Sequence, residues 1–367
     1  MTTNPLDMRR ARLMGLVDVS KGRGLEIGPL HSPITTDVED VRYVDVFSQD
    51  QLRANYAHDP SVNLSDIPEI HFTLSSPEGI RSLSEAVRPA APFSWAAASH
   101  VVEHVPDIIS WLAEIAENLV DGGQLLLVVP DRRFTFDILR PSTTVGQMLQ
   151  AHELRETVPS VRAVYDMFRT IVTVGARDAW EGTVPSQEDR IHDLAGTMHQ
   201  VQRARDGEYV DCHVWTFTPA SFVEQINELG RLEMCDFVVE TIVATPQNDI
   251  EFNVVLRRLP RGLRGDELRA ARAAGVLDVS DGDSVRDRHQ VESERLATEN
   301  AALRAELEDS YLDARRRTKE LQHSARAASQ RTRELEDELA RVKASERWRL
   351  GGLAAIPASA VKKLLSR

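Results

Sequence analysis

The sequence predicts an α/β fold: a mainly parallel sheet covered by helices, carrying a helical insertion and followed by a long coiled-coil helix. Three observations predict it. Between residues 22 and 258, short apolar runs alternate with longer amphipathic stretches, the pattern of strands joined by helical crossovers. Residues 131–210 interrupt that alternation with a polar, helix-prone segment rich in His and Arg. Beyond residue 285, apolar side chains recur in steps of three and four, which marks a coiled-coil seam.

The elements follow in order. Residues 1–21 read as an N-terminal extension with two adjacent arginines and no apolar run of signal-peptide length. The domain of residues 22–258 opens with candidate strands at Gly24–Ile27, Arg42–Asp45, Trp95–Ser99 and Gln124–Val129. Between the last two lies "PDIISWLAEIAENLVDGG", where Ile108, Leu112, Ile115 and Leu119 form one apolar helix face. Pro106 is expected in its first turn, Asp107 at its positive end, and Gly122–Gly123 as its stop. The insertion of 131–210 is expected to cover a pocket. Cys235–Val243 and Glu251–Leu256 stand too close together for a helical crossover, so they are expected to pair antiparallel as a hairpin.

Residues 259–285 read as a linker with at most one short helix. The coiled coil of 286–347 carries Leu296, Asn300, Leu303, Leu307, Tyr311, Ala314, Thr318, Leu321, Ala325, Ala328, Thr332, Leu335, Leu339 and Val342 along one seam, with a single stutter before Tyr311. That seam predicts a homo-oligomer. The tail of 348–367 alternates apolar and basic residues. From residue 343 onward the chain carries a net charge of +5, against −18 for the remainder. An interfacial membrane anchor and a docking segment for a protein partner are both open.

Composition removes several classes. With 44 basic against 57 acidic residues, no basic stripe exists to track a nucleic-acid backbone. The two cysteines, Cys212 and Cys235, form no metal-type pair and fit a reducing compartment. No run approaches the ~20 apolar residues that a membrane span needs. The expectation is a cytoplasmic protein, peripheral at the inner membrane face if the tail is an anchor.

The chemistry starts at "GLEIGPLHSP", residues 24–33. A dinucleotide enzyme would place several glycines here to admit a pyrophosphate. After the strand this stretch offers only Gly28, followed by two prolines without amide donors, which argues against a pyrophosphate cradle. One close backbone approach at Gly28 and one carboxylate at Glu26 suffice for a nucleoside bearing an amino-acid cation. Farther along, "RYVDVFS" ends a strand with Asp45, where a carboxylate can accept hydrogen bonds from both ribose hydroxyls.

"LEIGP", "YVDVFS", "SHVVEHVPD" and "LVDGGQLLLVVPD" occur in an order and spacing that resembles class I S-adenosylmethionine-dependent methyltransferases, over roughly residues 22–258. The run from Ala98 to Asp131 is similar to the type 11-like group that includes the ubiquinone-biosynthesis enzymes. "VVPDRRFTFDILRPST" and "DCHVWTFTPASF" resemble a bacterial subgroup associated with glycosyltransferases and surface polysaccharide. The resemblance implies a Rossmann-like seven-stranded methyltransferase sheet and S-adenosyl-L-methionine as cofactor. It implies Glu26 and Gly28 at the methionine end, Asp45 at the ribose, and Ser99 and His100 beside the transferring methyl. A glycan or sugar-linked intermediate is the implied acceptor, methylated on oxygen, with a glycosyltransferase as a possible docking partner for the tail.

Methyl transfer is an in-line displacement, accelerated by alignment and exclusion of water. An oxygen nucleophile also benefits from a base, and His100, His104 and Asp131 are the candidates near the strand ends. Arg132, Arg133, His213 and Trp215 are candidates for holding the substrate through charge, hydrogen bonds and stacking. "HDLAGTMH" and "DCHVW" match no standard ligand spacing, so no metal is expected. A non-catalytic scaffold is the competing reading, because the first turn keeps a single glycine.

Overall fold

The computed structural model describes residues 5–35, 38, 40–77, 79–276, 279 and 288–344, and divides the chain into two compact units, Met1–His289 and Gln290–Arg367. The tail of 348–367 lies outside the described residues.

The first unit opens with helix α1 (Pro5–Met14), followed by β1 (Gly24–Ile27), β2 (Val41–Asp45), α2 (Gln49–Asn55) and β3 (Phe72–Thr73). A small two-stranded ladder, β4 (Ser75–Ser76) with β5 (Gly79–Ile80), precedes α3 (Leu83–Val87) and β6 (Phe93–Ser99). Next come α4 (Ile108–Asn118) and β7 (Leu119–Pro130). Helices α5 (Val145–Leu154), α6 (Val161–Thr170), α7 (Ala176–Trp180) and α8 (Leu194–Arg205) fill the insertion. Helix α9 (Pro219–Arg231), strands β8 (Phe237–Val243) and β9 (Glu251–Arg258), and α10 (Gly265–Ala273) complete the unit.

The main sheet has seven strands in the order β3-β2-β1-β6-β7-β9-β8. Pairing is parallel from β3 through β7, whereas β9 runs antiparallel to both β7 and β8. The expected hairpin therefore exists, with β9 inserted next to β7. The chain leaves β1 for β2 on one side and returns to β6 on the other. This is the reversal point at which open α/β sheets form a crevice beyond their strand ends.

Helix α4 is shorter than its sequence suggests. Asp107 is its N-cap, with its Oδ1 accepting from Ser110 N at 3.0 Å, and Pro106 lies ahead of the cap rather than inside the first turn. The helix stops at Asn118, and Leu119 already starts β7. Gly122–Gly123 end nothing; they lie within the irregular opening of the strand, where the register with β6 slips. Gly122 takes φ +75, and a Cβ on Gly123 would sit 2.9 Å from Val120 O. The pair shapes a bulge, since the sheet captures the backbone before a fourth helical turn can form.

Two segments are more tightly integrated than expected. The N-terminal extension packs Leu13 and Val17 into a cluster with Trp95, Ala97, Leu126, Val128 and Val255. The insertion buries Met148, Ala151, Ala163, Val164 and Val201 in the same cluster as the sheet and α4. Its apolar faces are turned to the main core, so it forms part of the body. In the linker, α10 is tied back by Arg272 Nη1 donating to Cys235 O at 3.0 Å.

The described part of the second unit belongs to helix α11 (Arg288–Ala344), 57 residues and about 85 Å long at 1.5 Å per residue. Its described side chains are exposed throughout, including the seam residues Leu307, Tyr311, Leu321, Leu335, Leu339 and Val342. No described helix is long and apolar enough to cross a membrane.

Candidate active site

The strand ends at the reversal point enclose a cavity of about 550 Å³, within the usual range for small-molecule sites. Six sequence candidates line it together: Glu26, Gly28, Asp45, Ser99, His100 and His104. The remaining lining includes Arg9 from α1, Tyr56 and Asp211. None of residues 131–210 is among the lining residues, which corrects the expectation that the insertion covers the pocket.

The floor is the turn after β1. Gly28 adopts φ +66, and a Cβ there would stand 2.8 Å from Val101 Cγ2. Glycine is required both by the left-handed backbone and by the close approach of the following loop. Glu26 is buried, and its carboxylate accepts from Ile34 N at 2.8 Å, Thr35 N at 3.2 Å and the Thr35 hydroxyl. It braces the loop beneath the cavity and retains about one of its four lone-pair positions for a ligand. Burial pushes the Glu26 carboxyl up to about 7, against the pull of Thr35 and Ile34. Asp45 ends β2 and is raised to about 6 by burial, against the pull of the neighbouring backbone N–H groups of Phe47, 3.5 Å away, and Val46. A carboxylate with spare acceptor capacity facing the cavity fits a ribose diol.

The raised Glu26 pKa has a definite sign. The folded state keeps a proton that the unfolded chain releases between about pH 4.5 and 7. Rising pH in that window therefore favours unfolding. Denaturant titrations at pH 5 and 7.5 should show the wild type losing stability on the order of 1–3 kcal/mol relative to Glu26→Gln. Equal pH responses in the two proteins would mean that Glu26 is ionised throughout.

The far wall is an ionic network. Arg9 donates twice to Glu251, at 2.8 Å to each oxygen, and once to Ser99 Oγ at 3.0 Å. His100 Nε2 lies 2.9 Å from Glu251 Oε2, and its Nδ1 is 3.5 Å from Glu103 Oε1. Burial alone would lower the imidazole pKa, but Glu103 and Glu251 outweigh it and raise it to about 9. Conversely, burial opposes ionisation of Glu251, and His100 with Arg9 bring it down to about 2. At neutral pH His100 is thus an imidazolium and cannot receive an acceptor's proton. His104 Nδ1 lies 2.9 Å from Asp211 Oδ1; burial would lower this imidazole's pKa, but Asp211 and Glu103 outweigh it and raise it.

The other candidates fall elsewhere. Asp131 is fully buried, chelates Arg133 at 2.7–3.2 Å and accepts from Thr245 Oγ1 at 2.7 Å. It is a structural anchor and cannot act as a base. Arg133 is committed to that pair and is not available to a substrate. Arg132 donates to Ser142 Oγ at 3.0 Å, away from the cavity. Trp215 is buried, with Nε1 donating to Val105 O at 2.6 Å, so its ring offers no face to a sugar. His213 is also buried, its ring centroid 4.8 Å from that of His104. Sequence reading missed Arg9, Glu251 and Asp211. The only available signal was the Arg9-Arg10 pair on an amphipathic opening helix, and nothing local marked Glu251.

Residues 7–170 match the family model described as "Methyltransferase domain". No curated protein matches the chain in sequence. Among solved structures, a S-adenosylmethionine-dependent methyltransferase from Methanosarcina mazei is 14% identical at a TM-score of 0.31, covering 65% of this chain and 93% of that one. One from Mesorhizobium loti is 12% identical at 0.35, covering 69% and 100%. A Rhodobacter sphaeroides chain, provisionally described as a zinc-dependent alcohol dehydrogenase, is 12% identical at 0.38, covering 70% and 91%. Scores this low carry no argument about activity.

Proposed function

We propose that this chain, whose residues 7–170 match the methyltransferase domain, is an S-adenosylmethionine-dependent methyltransferase acting on an oxygen of a glycan or sugar-linked intermediate. The observation that carries the reading is the convergence of Gly28, Asp45 and Glu26 on one cavity at the reversal point of the sheet. Gly28 admits the ligand against the backbone, Asp45 holds the ribose hydroxyls, and Glu26 with its remaining lone pair meets the ammonium. When bound, S-adenosylmethionine supplies a methyl group on a cationic sulfonium.

The chain's own residues do the rest. The Arg9–Glu251–His100 network fixes the cavity wall, and Ser99 is held in it by Arg9. His104, oriented by Asp211, borders the same cavity and is the group assigned to take the acceptor's proton. The sugar acceptor is supported by the resemblance of "VVPDRRFTFDILRPST" and "DCHVWTFTPASF" and by the polar rim of His104, Asp211 and Tyr56. Helix α11, whose described seam residues from Leu307 to Val342 are exposed, is assigned to self-association.

The test is transfer of tritiated methyl to fractionated envelope intermediates, with calorimetry against S-adenosylhomocysteine alongside. Incorporation that falls about 10²–10⁴-fold in His104→Gln, with homocysteine-product binding unchanged, is the expected result. Binding without incorporation into any saccharide fraction would overturn the acceptor. Absence of binding at millimolar concentration would favour the scaffold reading, which the single glycine and the prior engagement of Glu26 by Ile34 and Thr35 also favour.

A further inference from the structure

Next to the cavity is a cluster that methyl transfer does not explain. Glu103 is 1% exposed, and neither carboxylate oxygen accepts a hydrogen bond. Its nearest neighbours are His100 Nδ1 at 3.5 Å and His104 Nε2 at 3.9 Å. His213 packs edge-on against His104. A buried carboxylate with two unsatisfied oxygens is expensive unless a cation compensates it. The His100 imidazolium supplies charge to Glu103 at 3.5 Å but no aligned hydrogen bond, and its closer contact, at 2.9 Å, is with Glu251.

We propose that Glu103, His104 and His213 form a binding site for one divalent transition-metal cation of the zinc class. One donor atom from each of the three lies within 4.8 Å of the other two. Two imidazoles and one carboxylate are a donor set that zinc takes in open sites, and one that magnesium and calcium avoid. At metal–donor distances of about 2.0–2.2 Å the three atoms must stand about 3–3.5 Å apart, so binding draws the side chains together by roughly an ångström.

The surrounding residues are arranged as a metal site's supports. His213 Nδ1 meets Asp137 Oδ2 at 2.5 Å, which leaves Nε2 as the ligating nitrogen. Asp137 is itself held by Arg140 Nη1 at 2.8 Å. His104 Nδ1 faces Asp211 at 2.9 Å, leaving its Nε2 toward Glu103. Carboxylates behind both imidazoles fix the tautomer and increase the basicity of the ligating nitrogen. Three carboxylates (Glu103, Asp137 and Asp211) face the Arg140 guanidinium and the His100 imidazolium, which His100 shares with Glu251, so the cluster keeps negative charge that a cation can offset. His104 belongs to both the cluster and the cavity wall. An ion on its Nε2 takes the lone pair that proton acceptance would use. Metal loading and the base role of His104 are therefore alternatives.

The assignment stands on donor geometry and does not rest on the methyl-transfer reading. The experiment titrates the chelator-stripped full chain with Zn²⁺ by calorimetry, without any nucleoside, and repeats it with Co²⁺ while recording visible absorption. One equivalent is expected to bind, raising the melting temperature and giving a cobalt d–d band. Glu103→Gln and His213→Asn should weaken binding at least 100-fold, Asp137→Asn about 10–100-fold, and exposed His58→Ala not at all. Circular dichroism identifies any variant that fails to fold, and Asp137→Asn with the cobalt spectrum then decides. Absence of one-equivalent binding, or wild-type affinity in the folded variants, would overturn the site and leave Glu103 neutralised by imidazolium instead.

Discussion

Replacing Asp45 with alanine should weaken S-adenosylhomocysteine binding about 10²- to 10⁴-fold while leaving the melting temperature of the free protein close to wild type. The magnitude follows from two charge-assisted hydrogen bonds to the ribose, at about 1.5–3 kcal/mol each. Stability should be spared because the Asp45 carboxylate meets only adjacent backbone among the contacts described, Phe47 N at 3.5 Å and Val46, and its burial already disfavours the anion. Asp45→Asn, which keeps acceptor capacity and loses the charge, should fall between the two. Calorimetry on the three proteins checks this. Wild-type affinity in Asp45→Ala would take the residue out of the site and with it the orientation of the nucleoside.

The second large effect is on folding. Trp215→Ala should cost about 3–5 kcal/mol out of a total on the order of 5–15. Trp215 is among the largest fully buried side chains, and its Nε1 ties the chain to Val105 O at 2.6 Å. Backbone N–H groups of Val214 and Trp215 both donate to Glu103 O, at 2.7 and 3.2 Å. The substitution thus opens a cavity, leaves the partly buried carbonyl of Val105 without its donor and loosens the loop that carries Glu103 and His104. Urea denaturation should show a lower midpoint with little change in slope. A near-neutral result combined with loss of activity would restore the stacking role that the burial of Trp215 denies.

Glycine and acid placement at β1 and β2 could be read directly from the sequence, because a close approach at Gly28 and a carboxylate at a strand end are local requirements. The same holds for α4, whose apolar spacing and Asp107 cap are consecutive. Its end was misread since Gly122–Gly123 resemble a helix stop until the pairing of Leu119 with Phe93 is known. Asp131, Arg133 and Trp215 resemble site residues by type and position. Their partners, Thr245 and Val105 among them, come from distant elements, and no local pattern announces that such groups satisfy one another.

By itself the sequence determined six of the strands, the helix α4 and the long C-terminal helix, that the last two strands run antiparallel, and which turn must be glycine. These follow from periodicity and from backbone sterics within a few residues. Only the tertiary structure decided that Arg9 and Glu251, 242 residues apart, build the cavity wall around His100. It alone decided that His213 and Glu103 meet beside His104. Charge, burial and hydrogen-bond partners are properties of neighbourhoods in space, and the order of residues along the chain does not specify them until the sheet has brought its strand ends together.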